Sequence, residues 1–374
     1  MALEFEPLVA SIHATPWQVV CALSGGGSGA LAELLQVPGA SRTLLEAVVP
    51  YSRSALVDWL GGRPDRFCSD ETTRAMAVAA FDRARALAEP EAGSLAGVAC
   101  TAGLATDRPR QGQHRAHVAI QTGSDTACWS LQLAKGRRGR REEEQLLAAL
   151  LLNCLAEMCG VNGRLALALG DDEPVRCARA SALPAWRELL LGRREVVCEN
   201  GAVEAPAAVL SGAFHPLHCG HRHMAEVAEH LIGQPVHFEI AIVNADKPPL
   251  DYYELECRLK QFAAGQPVLL SRAATFEAKA ALFRGATFVV GIDTLRRIAS
   301  PTYYGNDPAA QSAALNRIAE RGCRFLVFGR DMGTGFVRLS DLDLPDCLQA
   351  ICREVPVEVF REDVSSTALR RTGQ

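Results

Sequence analysis

The chain has 374 residues, 48% apolar and 22% charged, with a formal net charge of −4. That length exceeds one ordinary core and predicts two domains. The near-balanced charge excludes a global basic field for nucleic acid or anionic lipid, so an acidic substrate has to be held by a local cluster.

The N-terminus MALEFEPLVASIH carries acids early and lacks a basic segment leading into an apolar one, so no signal peptide is expected. The thirteen cysteines include no CxxC pair and fall mostly in apolar surroundings, as with Cys21, Cys100 and Cys154. They read as reduced thiols of a cytoplasmic protein. WQVVCALS predicts a strand entering a glycine-rich turn, and GALAELLQV the helix after it. LEAVVPYS and LAGVACTAG read as buried strands flanking the amphipathic helix DETTRAMAVAAFDRARALA, with HRAHVAIQT and CWSLQLA as a final strand pair. The run KGRRGRREEEQ changes sign as it enters a helix, where acids suit the macrodipole, and predicts a solvated loop and helix start. QLLAALLLNCLAEMCG falls short of a bilayer span and carries Asn153 and Glu157, which predicts a core helix.

Residues 170–206 are rich in turn formers and predict a connection with a short helix. A second alternation follows: AAVLSGAF, VHFEIAIV, ATFVVGID, CRFLVFGRD and VPVEVFRED as strands, with GHRHMAEVAEHLI, TFEAKAALF and SAALNRIAERG as helices. The expected architecture is two α/β domains, 1–168 and 206–374, joined by 169–205. The second should be a Rossmann-like, doubly wound parallel sheet with its ligand at the strands' carboxyl ends.

Three motifs fall at those ends. GAFHPLHCGH passes from a strand at Gly212 to a helix near Gly220, where glycine permits close backbone approach and the helix N-terminus attracts an anion. His218 and His221 can add ring donors there. VVGID puts Asp293 just beyond a buried strand, and DVSSTALRR sets three hydroxyl residues at a helix start with Arg370 a turn later. Zinc ligation by the four histidines of SGAFHPLHCGHRH is the rival reading. No spacing matches a familiar zinc site, and Pro216 breaks any helical i, i+4 placement, so no metal ligand is assigned.

These residues carry a resemblance. His218-Cys219-Gly220-His221 is similar to the HxGH signature of the nucleotidyltransferase superfamily, and GID followed by SPTYYG is similar to the GxD and downstream aromatic of nicotinamide mononucleotide adenylyltransferases. VSSTALR resembles that family's ISSTxxR segment. The resemblance implies that His218, His221 and Arg370 stabilise charge on the ATP phosphates as pyrophosphate leaves. It also implies phosphate contacts from Gly212, Phe214, His215, Gly220, Lys247, Ser365, Ser366 and Thr367. Gly291, Asp293, Tyr303 and Arg330 would line the nucleotide and acceptor pockets. Tyr303 stands where tryptophan is common, so stacking on a nicotinamide ring and plain packing both stay open. Magnesium would arrive mainly on the ATP phosphates.

The first half resembles the C-terminal domain of competence-damage-inducible (CinA) proteins, which includes nicotinamide-nucleotide amidases. The likeness rests on ALSGGGSGALAELLQVPGASRTLLEAVVPYS and GVACTAGLA. Ser24 matches the nucleophilic serine, Gly26 and Gly27 the glycines, and Tyr51-Ser52 the tyrosine–serine pair. The family's lysine falls on or near Leu56, and no lysine precedes Lys135. The later KPVGT segment is replaced by QHRAHVA, leaving His114, Arg115 and His117 as polar candidates. A serine without its base is a weak nucleophile, so this domain is expected to lack amidase activity and to keep a nucleotide-binding, regulatory or dimerising role. Its SGGGSG turn reads equally as a tight strand-to-helix corner or as a phosphate nest.

The resulting expectation is a cytoplasmic ATP-dependent nucleotidyltransferase acting on a pyridine mononucleotide, with small nucleotides as its partners and homo-oligomerisation through the first domain left open. A cytidylyl- or adenylyltransferase for another phosphorylated acceptor, and a silent nucleotide-binding regulator, remain the alternatives.

Overall fold

Residues 4–89, 93–107, 111–202, 205–332 and 335–361 are described by the computed structural model. The chain divides into two units, residues 1–187 with 246–255 and residues 188–245 with 256–374. A short stretch from the second half is therefore built into the first unit.

In the first unit, α1 (Glu6–His13), β1 (Trp17–Ser24), α2 (Gly29–Gln36), α3 (Ala40–Thr43), β2 (Leu44–Val48), α4 (Arg53–Leu60) and α5 (Asp70–Leu87) precede β3 (Ser94–Gly103), β4 (His114–Thr122), β5 (Asp125–Leu133), α6 (Arg140–Met158) and β6 (Arg176–Ser181). The sheet order is β2-β1-β3-β4-β5-β6. β1 lies parallel to β2 and β3, and the later strands are antiparallel. Strand alternation sends Val19, Cys21 and Leu23 to the core shared with α6, and Val20 and Ala22 to the opposite core with α4 and α5. The alanine-rich face of α5 lies so close that a Cβ at Gly97 of β3 would stand 2.0 Å from the Ala77 carbonyl oxygen.

α6 is apolar around most of its circumference and is buried accordingly. Its buried amide Asn153 bonds the backbone N–H and carbonyl of Leu165 at 2.7 and 2.9 Å and so docks the following loop. No helix among the described residues is long and apolar enough to cross a membrane. The acids at the start of α6 are not the solvated run expected from sequence. Glu142 caps Gly139 N–H at 2.8 Å, whereas Glu143 is fully buried against His114 at 2.7 Å. Burial is tolerated because His114 and the Ala105 N–H both satisfy the carboxylate.

The stretch expected only to connect, 169–205, carries β6 and, in the second unit, β7 (Val196–Glu199). β6 is an edge strand whose residues are largely exposed, so RCARAS lacks the apolar alternation that marks a strand. Glu173 fixes the start of this stretch, accepting from Arg138, Ala134 N–H and Gly170 N–H. Those hydrogen bonds, Arg138's foremost, hold its carboxyl far below the ordinary carboxylate range.

α7 (Pro184–Leu190) leads into the second unit. There β7, β8 (Ala208–Ser211), α8 (Cys219–Ile232), β9 (Val236–Ala241), α9 (Tyr252–Leu259), whose first residues belong to the first unit, β10 (Val268–Ser271), α10 (Phe276–Leu282), β11 (Thr287–Gly291), α11 (Ile292–Ile298), α12 (Pro308–Glu320), β12 (Arg324–Phe328), the ribbon β13 (Arg330–Asp331)–β14 (Phe336–Val337), α13 (Asp346–Gln349) and β15 (Cys352–Glu354) follow. The sheet order is β15-β12-β11-β8-β9-β10-β7, parallel except for β7. The chain winds from β8 to one side through β10, then returns to β11 and continues to the other. The crevice at the carboxyl ends of β8 and β11 is thus the topological switch point. The last strand among the described residues falls at Cys352–Glu354, before VPVEVFRED. Val355 N–H still reaches Val327 O at 2.9 Å, but Pro356 has no N–H to continue the ladder.

Within the first unit, the imported stretch 246–255 supplies Asp251, whose carboxylate meets Arg74 at 3.0 Å with both side chains almost wholly buried. Glu254 lies 3.7 Å from the same guanidinium, and the Tyr253 ring stacks 4.7 Å from it. Removing one member of a buried pair strands the other charge. Asp251→Asn should therefore lower unfolding stability by about 3 kcal/mol, and Asp251→Asn with Arg74→Met should cost less than the sum of the single changes, read from urea denaturation.

Candidate functional site

The turn from β8 into α8 is shaped by steric and hydrogen-bond constraints that act on its backbone. A Cβ at Gly212 would lie 2.6 Å from the Phe214 ring, and Phe214 itself adopts a left-handed φ of +46°. Phe214 is buried edge-on against Phe238 and Phe262, which holds that conformation in place. Gly212 N–H donates to the Glu239 carbonyl at 3.0 Å, extending the β8–β9 ladder into the turn. His215 precedes a cis Pro216 and is half-buried.

His218 is the N-cap of α8 and His221 lies in its first turn, with Gly220 buried between them. The two imidazoles stack with centroids 3.7 Å apart. His218 N–H donates to His221 Nδ1 at 3.3 Å, which leaves the proton of a neutral His221 on Nε2. Burial, then His218, then Arg330 push the His221 pKa down to about 3. At neutral pH this ring is therefore an uncharged N–H donor at a helix N-terminus.

Gly291 ends β11 and is the N-cap of α11, with Asp293 in that helix's first turn. Asp293 pairs with Arg330 at 2.9 Å, and Arg330 is close enough to His221 to depress its basicity. The described residues thus bring together His218, His221, Arg330 and Asp293. Tyr303 sits half-buried in a 3₁₀ turn, Pro301–Tyr304. Lys247 is exposed and belongs to the stretch packed in the first unit, where its backbone N lies 2.6 Å from a Cβ built on Gly62. Ser365, Ser366, Thr367 and Arg370 lie outside the described residues.

In the first unit the SGGGSG turn has a specific occupant. The Glu144 carboxylate accepts from Gly27 N–H at 3.0 Å, Ser28 Oγ at 3.0 Å and Gly29 N–H at 3.2 Å. An internal anion fills the nest, and Arg140 closes it by donating to Gly25 O at 2.9 Å. Gly25 and Gly27 both have left-handed φ, and a Cβ on Gly26 would collide with Leu104 at 2.8 Å. Ser24 Oγ donates to Pro50 O at 3.0 Å, and Tyr51 is largely exposed. Leu56 is buried in the α4 core.

His117 bonds Ser130 Oγ at 2.8 Å, and burial holds its ring below the ordinary histidine range. Register pairs Ser24 with Thr101 and Thr101 with His117, so a whole strand separates serine from imidazole, roughly 9–10 Å between their backbones. Arg115 pairs across β4 and β5 with Gln132. Sequence reading missed Glu144, because a carboxylate 117 positions from Gly27 leaves no local pattern.

Residues 209–372 match the family described as cytidylyltransferase-like. The chain has no significant match among curated proteins. Among solved structures it is similar to the competence/damage inducible protein CihA of Agrobacterium tumefaciens, at 21% identity over 44% of this chain and 100% of that one, with a TM-score of 0.33. A competence or damage-inducible protein of Enterobacter asburiae matches at 18% identity over 42% and 95%, TM-score 0.33. The CinA superfamily protein of Escherichia coli matches at 16% over 41% and 88%, TM-score 0.31. The N-terminal part, about 42% of the chain, resembles these proteins.

The histidine geometry has a direct readout. In a ring-proton NMR titration His221 should stay neutral well below pH 5, whereas an exposed histidine titrates near about 6.5. Since its folded pKa lies below the unfolded one, its contribution to stability is complete above about pH 6.5 and is lost as pH falls toward about 3. His221→Phe should flatten that part of the acid limb.

Proposed function

We propose, from the premise that residues 209–372 form a cytidylyltransferase-like nucleotidyltransferase domain, that this chain transfers the adenylyl group of ATP to a pyridine mononucleotide and releases pyrophosphate. The observation that carries the transferase reading is the stacked His218–His221 pair at the N-terminus of α8, facing the switch-point crevice beside Arg330. Such a site needs no covalent nucleophile. An oxygen of the acceptor phosphate forms a bond to the α-phosphorus as the bond from that phosphorus to the bridging oxygen of the β-phosphate breaks, and the electron pair leaves with pyrophosphate. Catalysis is then positioning and neutralisation of charge.

The residues divide that work. His221 presents Nε2–H to a phosphate oxygen because Nδ1 is held by the His218 backbone. A bound phosphate favours the imidazolium and so raises a pKa that burial depresses in the free protein. Arg330 supplies a fixed cation, held by Asp293 until ligand competes for it. Ser365, Ser366, Thr367 and Arg370 would extend the phosphate contacts, and Gly212 and Gly220 would let the backbone approach. Gly291 and Tyr303 complete the proposed set. A hard-oxygen metal cage is not what the histidine pair and a salt-bridged Asp293 offer. They fit a magnesium ion that arrives on the triphosphate and adds charge neutralisation there.

The choice of a pyridine acceptor rests on the likeness of GID, SPTYYG and VSSTALR to nicotinamide mononucleotide adenylyltransferases, and on the CinA-like neighbour. For that neighbour we read no hydrolysis. Glu144 fills the turn, the lysine position falls on or near the buried Leu56, and Ser24 is turned to Pro50. A cytidylyl transfer to another phosphorylated acceptor is the second reading, favoured by the family's description.

Pyrophosphate release with Mg-ATP or Mg-CTP and a panel of phosphorylated acceptors tests both. Release should require a pyridine mononucleotide and ATP, and should fall on the order of 100-fold or more in His218→Ala and in His221→Ala. Release with CTP and another acceptor alone would replace the leading reading with the second. No release with any pair would leave a nucleotide-binding regulator. In a parallel ammonia assay with nicotinamide mononucleotide, wild type and Ser24→Ala should both be silent, and product from wild type alone would overturn the reading of the first domain.

A further inference from the structure

We infer that Arg258 and Gln261, at the carboxyl end of α9, are positioning residues that set the histidine loop of the proposed transferase. Beyond Gly212, which still joins the ladder, the loop from Ala213 to Leu217 cannot hydrogen-bond as a strand or a helix, so its inward backbone groups need side-chain partners. Three of those groups are met from one place. Arg258 donates to Ala213 O at 3.0 Å, and Gln261 Nε2 donates to Phe214 O at 3.0 Å. Leu217 N–H donates to Gln261 Oε1 at 2.8 Å.

The chemistry demanded at position 261 is narrow. One side chain gives a proton to a carbonyl and accepts one from an N–H on the far side of the cis proline, which suits a primary amide. A carboxylate can only accept, and a thioether does neither well. Arg258 is buried, so its donor is fixed rather than solvated. The neighbouring Phe262 packs edge-on against the Phe214 ring at 5.7 Å, so the same turn holds both the ring and the backbone of the left-handed residue. His218 follows Leu217 directly, and its backbone N–H orients His221. Arg258 and Gln261 hold the backbone of the loop that leads into the two histidines, and they act on the reaction by fixing where the two rings stand.

The inference rests on the transferase reading for its kinetic test and has a second test independent of it. With Mg-ATP and the acceptor that wild type uses, Gln261→Met and Gln261→Glu should lower kcat on the order of 10- to 100-fold, with KM for ATP changed less than about threefold. Arg258→Lys should recover part of the loss seen in Arg258→Met. Unchanged kcat in a folded Gln261→Met protein would overturn the inference, as would a loss that follows only the unfolded fraction in thermal melts. The second test is the ring-proton titration of His221 without nucleotide. In Gln261→Met it should shift up toward the ordinary histidine range as the pair loosens. An unmoved titration would sink the positioning role even if wild type transfers nothing, whereas failure of the transferase reading alone leaves the shift in place.

Discussion

The first turn of a helix leaves backbone N–H groups without intrahelical partners, and each half of this chain meets that constraint at a strand-to-helix corner. The two corners are solved differently. In the first unit the N–H groups of Gly27 and Gly29 are satisfied by the Glu144 carboxylate. In the second, the corner is dressed with two imidazoles and a nearby guanidinium. A corner already neutralised has little to offer a phosphate. A corner lined with donors has much.

That contrast explains why similar-looking glycine turns carry different weight. In the second half β8, β9, β11 and β12 were legible as short, largely buried apolar runs, and α8, α10 and α12 as helices with an apolar stripe, whereas α9, β10 and α11 were not, and the last strand lies a few residues before the expected one. The association of HCGH with a helix start was legible too, since Pro216 and Gly220 mark the corner locally. The identities of the partners were not legible. Glu143 and Glu144 are adjacent in sequence yet point to different tasks, one buried on His114 and the other across the glycine turn. Nothing in a run of three acids distinguishes them from a solvated helix start. Gln261 likewise looks like any polar residue after a helix until the loop 44 positions earlier folds against it.

The histidine pair also shows how the fold sets protonation. Burial, the stacked His218 and Arg330 all oppose a positive charge on His221, so in the free protein the positive field comes from the arginine and the helix end. On the proposed reading, affinity for a polyanion is then held back until the anion itself tips the ring toward its charged form. Asp293, engaged with Arg330, restrains that cation in the same way.

The placement of residues 246–255 in the first unit bears on the order in which the chain can mature as it is made. Domains generally form from the N-terminus during synthesis. Here Arg74 is buried against Asp251, so the first unit stays incomplete after its own 187 residues have emerged. Its guanidinium finds its buried partner only when β8, α8 and β9 have already left the ribosome, which makes completion of the first half wait on translation of part of the second.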